Sequence, residues 1–566
     1  MKFAKIALPS CALAFALVAG MQSHAQPSAA IAGEIASLCT GLPFPMPEVE
    51  TAVIPSARFD IRDFGAVPDG TTLNTRAFAA AIDACAKAGG GTVVVPPGYW
   101  LSGPIELKSN ICLHLEQGAL VQMSGHLEDF PLLPRDGDST RGFFVAPPLY
   151  AHDARNIAVT GKGIIDGGGE AWRYVLREKQ TENEWKALVS SGGVVTADGK
   201  QWWPSQEALD GEQYLKTVRA THEHPRKEEF EKEKQFLRPD LVVFVRCSGI
   251  VLDGPTFRNS PRYHLHPIQS EDIVIRNVTV LTPWFAMNGD GIDLSACRKV
   301  VIYNSMLDVG DDGLCLKPSE PSPAQQPGPS CSNIVIAGCT VYHAHGGFVI
   351  GSESYGGVKN ISVRNCVFLG TDVGIRFKSS RGRGGLVEDV WIDGVRMRSI
   401  ADEAVLFDMY YGGGSPEVES AKDRTVRAAE PLTSRTPRFQ NFVVRNVVCD
   451  GAARAVLING LPEMPIRNIE FDSVRVTSRK GVTCIDAQDI RFHDCTIVAG
   501  EGPAITVNAG QEVAVTGGAY RSEHGCTLRV EGGTSRAIRL NHVNAPGGAI
   551  SKERGPGVPP DAVLIQ

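Results

Sequence analysis

Ser248-Gly249-Ile250-Val251-Leu252 is echoed by Glu271-Asp272-Ile273-Val274-Ile275, then by Arg298-Lys299-Val300-Val301-Ile302 and Ser332-Asn333-Ile334-Val335-Ile336. Each copy is a polar pair, a run of alternating apolar residues and a short break rich in Asn, Asp or Gly. Further copies begin at Lys359, Glu388, Gln440, Arg467, Gln488, Gln511 and Ser535. Ile250, Ile273 and Val300 are 23 and 27 residues apart, and Ile469, Ile490, Val513 and Ile538 are 21, 23 and 25 apart. A period of two marks strands, and Gly, Asn and Asp mark their ends. Helical repeats would show apolar residues three and four apart, and propeller blades would take about 40 residues. A repeat this short is one coil of a solenoid. The expected fold is therefore all-β: a single right-handed parallel β-helix, with coils stacked at about 4.8 Å over a continuous aliphatic ladder.

Outside the repeat, residues 77–87 read as an amphipathic helix with Ala80, Ile82, Ala84 and Cys85 on its apolar side. Such a helix would cap the open N-terminal end of the coil, as the terminal elements of solenoids must. Two stretches interrupt the pattern. Residues 170–237 form a long, polar, partly helix-prone insertion carrying Trp172, Trp185, Trp202 and Trp203, and residues 412–437 read as a Ser/Glu/Arg-rich loop. Loops on one face of a solenoid usually carry its binding function. Trp172, Trp202 and Trp203 would either wall off one end of a groove or anchor the insertion to the coil.

The 566 residues are 43% hydrophobic, enough for a large core, and carry a formal net charge of −7. That balance argues against nucleic acid or an anionic membrane as partner, so an acidic substrate would need a locally basic groove. Lys227, Lys232 and Lys234 stand among glutamates and read as a solvated face. Residues 1–25 have the layout of a cleaved signal peptide: Lys2 and Lys5, an apolar stretch from Ala7 to Gly20, then Ser23-His24-Ala25. A periplasmic or extracellular location follows, with residues 26–566 as one catalytic domain; no later segment reads as transmembrane. Most of the 14 cysteines read as reduced and buried, since Cys339, Cys366 and Cys495 sit inside strand-like runs.

Four motifs carry the chemistry: Asn288-Gly289-Asp290-Gly291-Ile292-Asp293, Gly310-Asp311-Asp312-Gly313-Leu314-Cys315-Leu316-Lys317, His345-Gly346-Gly347 and Arg376-Phe377-Lys378. Asp290 and Asp311 are 21 residues apart, about one coil, so they should occupy neighbouring rungs of one face. Alone, an Asp-Gly pair is ordinary turn chemistry; the ordered set is not. Adjacent carboxylates repel, so one of them should hold a proton more tightly. Arg376 and Lys378, two apart on a strand, face the same side and suit a uronate carboxylate. Glycines beside His345 would let the chain approach a ligand closely. Asp293 and Asn288 are expected to hydrogen-bond backbone at a coil bend. His264, His266 and His343 lack zinc spacing, and no metal or cofactor is expected.

With Asp63-Phe64-Gly65-Ala66-Val67-Pro68-Asp69-Gly70, Val95-Pro96-Pro97-Gly98, Asn259-Ser260-Pro261 and His266-Pro267 added, the chain resembles glycoside hydrolase family 28, the polygalacturonases. The resemblance implies hydrolysis of α-1,4-galacturonosidic bonds in a pectic polysaccharide by an inverting mechanism. It assigns Asp311 as general acid, Asp290 and Asp312 as holders of the attacking water, and His345 a site role beside the acid. By similarity to a late tyrosine of the family, Tyr410 or Tyr411 reaches the substrate with Arg376 and Lys378. Inverting carboxyls are typically about 6.5–9.5 Å apart. Gly351-Ser352-Glu353 resembles exo-acting bacterial members, and the insertion at 170–237 fits a groove closed at one end. Rhamnogalacturonan or xylogalacturonan cleavage, or elimination by a β-helix lyase, are the alternatives. Gly289, Gly313, Ala344 and Phe377 depart from the family's usual residues without removing a charged group.

Overall fold

The computed structural model describes residues 27–135, 142–222, 224–318, 330–412, 428–545 and 550–566. Within them the repeated phrase forms the ladder its period requires. Ile250, Ile273, Val300, Ile334, Ile361, Val390, Phe442, Ile469, Ile490 and Val513 pair one to the next in parallel register. All of them are buried. Two long sheets, of 16 and 24 strands, run along the described chain as a right-handed parallel β-helix.

The breaks have a physical reason. Just before each ladder residue the backbone passes through the left-handed region: Asn156, Gly249, Asp272, Lys299, Asn333, Asn360, Asp389, Asn441 and Asn468 all have φ between 53° and 65°. Gly, Asn and Asp enter that region at least cost. Stacked coils then let the side chains bond along a column. Asn156 donates to Asn110 (2.9 Å), Asn360 to Asn333 (3.0 Å) and Asn468 to Asn441 (2.7 Å).

The capping helix spans Thr75–Lys87 and turns Ala77, Phe78, Ala81, Ile82 and Cys85 into the core. Ala80 lies outside that face and is exposed, contrary to the sequence expectation. A second helix, Pro27–Cys39, has no counterpart in the sequence reading. With Val49, its Ile31 and Ile35 cover an outer stripe of Ala158, Val251, Val274, Val301 and Val335. That cover explains why those strands are apolar on both faces. All described cysteines are free thiols, and all but Cys39 are buried.

The insertion is a small unit of its own. It carries helices Glu182–Ser190, Gln206–Thr221 and Lys227–Glu231 and an antiparallel sheet of Val175–Leu176, Gln201–Trp203 and Val194–Val195. Its tryptophans are anchors. Trp172 meets Phe130 edge-on, Trp203 stacks on Tyr174 at 4.4 Å, and Trp185 and Trp202 close a cluster with Val175. The charged run is not wholly solvated either, for Glu229, Phe230, Glu233 and Lys234 are buried. Residues 1–25, expected to be a signal peptide, and most of the 412–437 loop lie outside the described residues. No described helix is long and apolar enough to cross a membrane.

Candidate active site

Four consecutive rungs of one sheet place the site. Strands Ile292–Ser295, Leu314–Lys317, Gly346–Ile350 and Val373–Lys378 pair in parallel order. Asp290 stands just before the first, Asp311 and Asp312 before the second, His345 before the third, and Arg376 and Lys378 on the fourth. Oxygens of Asp290, Asp311 and Asp312 all lie within 4.8 Å of one another. The cluster is tighter than the carboxyl gap expected from the sequence.

Each carboxylate has a cationic partner. Asp312 meets Lys378 Nζ at 2.8 Å and Arg376 Nη1 at 3.5 Å. Asp311 Oδ1 is 3.4 Å from His345 Nδ1, whose other ring nitrogen is 3.5 Å from Asp372. Asp290 Oδ2 lies 2.8 Å from Lys317 Nζ. These partners set the protonation. Burial raises the Asp311 carboxyl, but the hydrogen bond to His345 and the charges of His345, Lys378 and Lys317 outweigh it and hold the group below the ordinary carboxylate range. The same bond raises His345. Asp290 moves the other way: burial, reinforced by Asp293, Asp311 and Asp312, overcomes the pull of Lys317. Of Asp290 and Asp311, Asp290 therefore holds its proton the more tightly.

Supporting contacts fix the loops. Buried His264 donates through Nδ1 to the Asp290 carbonyl at 2.7 Å, because its Nε2 accepts from the Ser260 amide at 3.3 Å. Burial lowers His264 to about 4, so it stays neutral. His266 bonds Asp240 and Ser295. Arg238, at the end of the insertion, donates to the Met287 carbonyl (3.0 Å) and to Asn288 Oδ1 (2.8 Å), tying the insertion to the Asp290 loop. Asn288 therefore accepts from a side chain, not from backbone as expected. Asp293 likewise sits on a strand, fully buried, with Lys317 Nζ 2.8 Å away. A Cβ at Gly346 or Gly347 would fall 2.4 Å from Val349 or Phe368. Gly347 thus serves coil packing, whereas a Cβ at Gly346 would also lie 3.5 Å from Asp312 Oδ1, so its absence keeps the space beside the carboxylates clear.

The two tyrosines face different cations. Tyr411 has Lys378 Nζ 4.9 Å and Arg376 Cζ 5.7 Å from its ring centre. Tyr410 instead faces Arg381 and packs on the core. Sequence reasoning missed Lys317, Tyr263, Asp372 and Trp284. Lys317 sits 3.7 Å over the Tyr263 ring; its signal was a lysine ending an otherwise apolar strand. Trp284 is 55% exposed, and its loop touches the Asp311 turn: a Cβ on Gly310 would lie 2.4 Å from the Ala286 carbonyl oxygen.

Beside the carboxylates, one to three rungs toward the N-terminus, a cavity of about 550 Å³ opens over Val243, Val245 and Ile268. Phe236, Leu237 and Arg238 of the insertion and its junction wall it on one side.

The sequence model of glycosyl hydrolases family 28 matches residues 181–489, over half the chain. The chain belongs to glycosyl hydrolases family 28. It is thus a glycoside hydrolase of the polygalacturonase type, and the family implies a pectic polysaccharide substrate. A second model, of rhamnogalacturonase A/epimerase, pectate lyase-like proteins, matches residues 58–115. Among its relatives, a probable polygalacturonase of Vitis vinifera is 25% identical over 78% of this chain and 81% of that protein. An exo-poly-alpha-D-galacturonosidase of Dickeya chrysanthemi is 26% identical over 79% of this chain and 71% of that one. A hyperthermoactive exopolygalacturonase from Thermotoga maritima superposes with a TM-score of 0.65 at 26% identity, covering 83% of this family 28 chain and 95% of its own.

Proposed function

We propose that this family 28 protein is a secreted exo-polygalacturonase that inverts the α-1,4-galacturonosidic bond it cuts. The observation that carries the reading is three carboxylates, each held by a cation, in a groove whose N-terminal arm lies beside a half-enclosed cavity. In this reading Arg376, Lys378 and Tyr411 grip a uronate next to the scissile bond. A substrate carboxylate draws Lys378 from Asp312, relaxing one of the charges that hold Asp311 down. Asp311 then takes up a proton from the pair it forms with His345 and delivers it to the leaving oxygen. Asp290 and Asp312 hold the attacking water, and Asp290, ionised in the complex, accepts the proton the water gives up as it bonds to the anomeric carbon. Carboxylates that each have a fixed cationic partner suit holding water better than attacking carbon. Residues 26–566 form the single catalytic domain, and 1–25 are its leader.

The sequence resemblance and the exo-acting relatives support exo action, and the cavity gives a chain terminus somewhere to stop. Sizing the early products of polygalacturonate digestion is the decisive experiment. One or two terminal residues should accumulate while viscosity falls slowly; a rapid early viscosity drop would make the enzyme endo-acting. Proton NMR of the first product should show the β-anomer, and a retained α-anomer would overturn inversion. A product absorbing in the ultraviolet would mark a lyase. N-terminal sequencing of the exported protein should begin at Gln26.

A further inference from the structure

We infer that Lys317 is a positioning residue, the group that permits Asp290 to ionise and that fixes the direction of its carboxylate. The inference rests on the proposed role of Asp290 as a holder of the attacking water. Asp290 is 2% exposed, and nearly everything facing it is acidic or neutral. Asp293 comes from its own strand, Asp311 and Asp312 from the turn on the next rung, and Tyr263 and the neutral His264 from the preceding segment. Arg262, on that segment, feels Asp290 only at longer range, since it is engaged by Asp240 at 3.7 Å and lies over the Tyr263 ring at 4.2 Å. Arg376 and Lys378 are turned to Asp312. Among the described residues Lys317 is the one cation in contact with Asp290, at 2.8 Å.

The lysine is itself held on three sides. Its ammonium lies 2.8 Å from Asp293 as well as 2.8 Å from Asp290, and 3.7 Å above the Tyr263 ring. The strand register explains how it reaches both acids: Ser295 pairs with Lys317, so Asp293, two residues earlier, shares its face. One ammonium between two buried carboxylates cannot balance both. Asp293 and Lys317 therefore set how readily Asp290 loses its proton, and the acid limb of the activity profile should report that balance.

An opposite charge within a few ångströms lowers a carboxyl pKa by about 1–3 units. Lys317→Met keeps the length of the side chain and removes the charge. Its acid limb of kcat/KM should move up by about 1–3 pH units, and Lys317→Arg should restore most of the shift. Asp293→Asn removes a like charge and leaves Lys317 to Asp290 alone, so its limb should move down. Circular dichroism and thermal melting show which variants fold; if Lys317→Met does not, Lys317→Arg and Asp293→Asn still decide. A limb unmoved in the folded variants, or moved the same way by Lys317→Met and Asp293→Asn, would overturn the inference and leave Lys317 a structural partner of Asp293. Asp290→Asn separates the two failures. Should that variant stay active, the water-holding role of Asp290 is wrong. Should it be inactive beside unmoved limbs, only the part given to Lys317 is wrong.

Discussion

Asp311→Asn preserves the size of the side chain and removes the group that takes up the proton and delivers it. Turnover should fall by about 10²–10⁴-fold, the usual worth of a general acid, with an unchanged melting temperature; more than a tenth of the wild-type rate would refute the assignment. His345 gives the complementary test. Its pKa is raised by the bond to Asp311, so the imidazolium persists above the ordinary value of about 6.5 and is lost as pH rises through the raised one. The proton that the pair delivers is lost with it. Activity should therefore fall on a basic limb above pH 6.5, and His345→Gln should abolish or displace that limb. Lys378→Ala should cost about 1.5–3 kcal/mol of transition-state stabilisation on free polygalacturonate, and less on methyl-esterified chains, whose neutral ester offers no charge to pair. Equal losses on both substrates would show that Lys378 does not read the carboxylate.

At the scale of elements, the insertion is the part whose removal should change the mode of action. Arg238 joins it to the Asp290 loop, and Phe236 and Leu237 flank the cavity. Shortening the segment before Phe236, with Arg238 kept, should lengthen the early products and steepen the viscosity drop. An unchanged product pattern would separate the insertion from chain-end selection. The insertion also shows where sequence reading stops. A period of two is written in the residues themselves, so the ladder from Ile250 to Val513 could be read directly. Whether Trp172 or Trp284 faces solvent depends on tertiary packing: Trp172, Trp202 and Trp203 of the insertion are candidate walls by sequence yet are buried, while the exposed Trp284 lies outside it. The charged motifs were legible because each begins or ends a coil. Lys317 was not, since its partners Asp290 and Asp293 lie a full coil away in sequence. Tyr410 and Tyr411 could not be told apart because they follow the end of strand Arg396–Asp408, where alternation no longer predicts direction.

Across the whole molecule, contacts run mainly from each coil to its neighbours, and stability in such arrays is close to a sum of local terms. Residues 467–487 make one complete coil in the C-terminal half: Gln440 pairs with Arg467, and Arg467 with Gln488. Deleting them should bring Gln440 opposite Gln488 with every later pairing intact. The shortened protein should melt at a lower temperature yet keep wild-type kcat, and a loss of kcat would mean that this distant coil supports the site. The polar column at the left-handed corners carries a wider consequence. Because each amide bonds only to the coils directly beside its own, a coil in the C-terminal half can be gained or lost as a cassette, its neighbours closing the same column. Between Asp290 and Lys378 the same operation would slide one half of the chemistry past the other. The tail of this protein is free to change length over evolutionary time, and its centre is a block that can only be inherited whole.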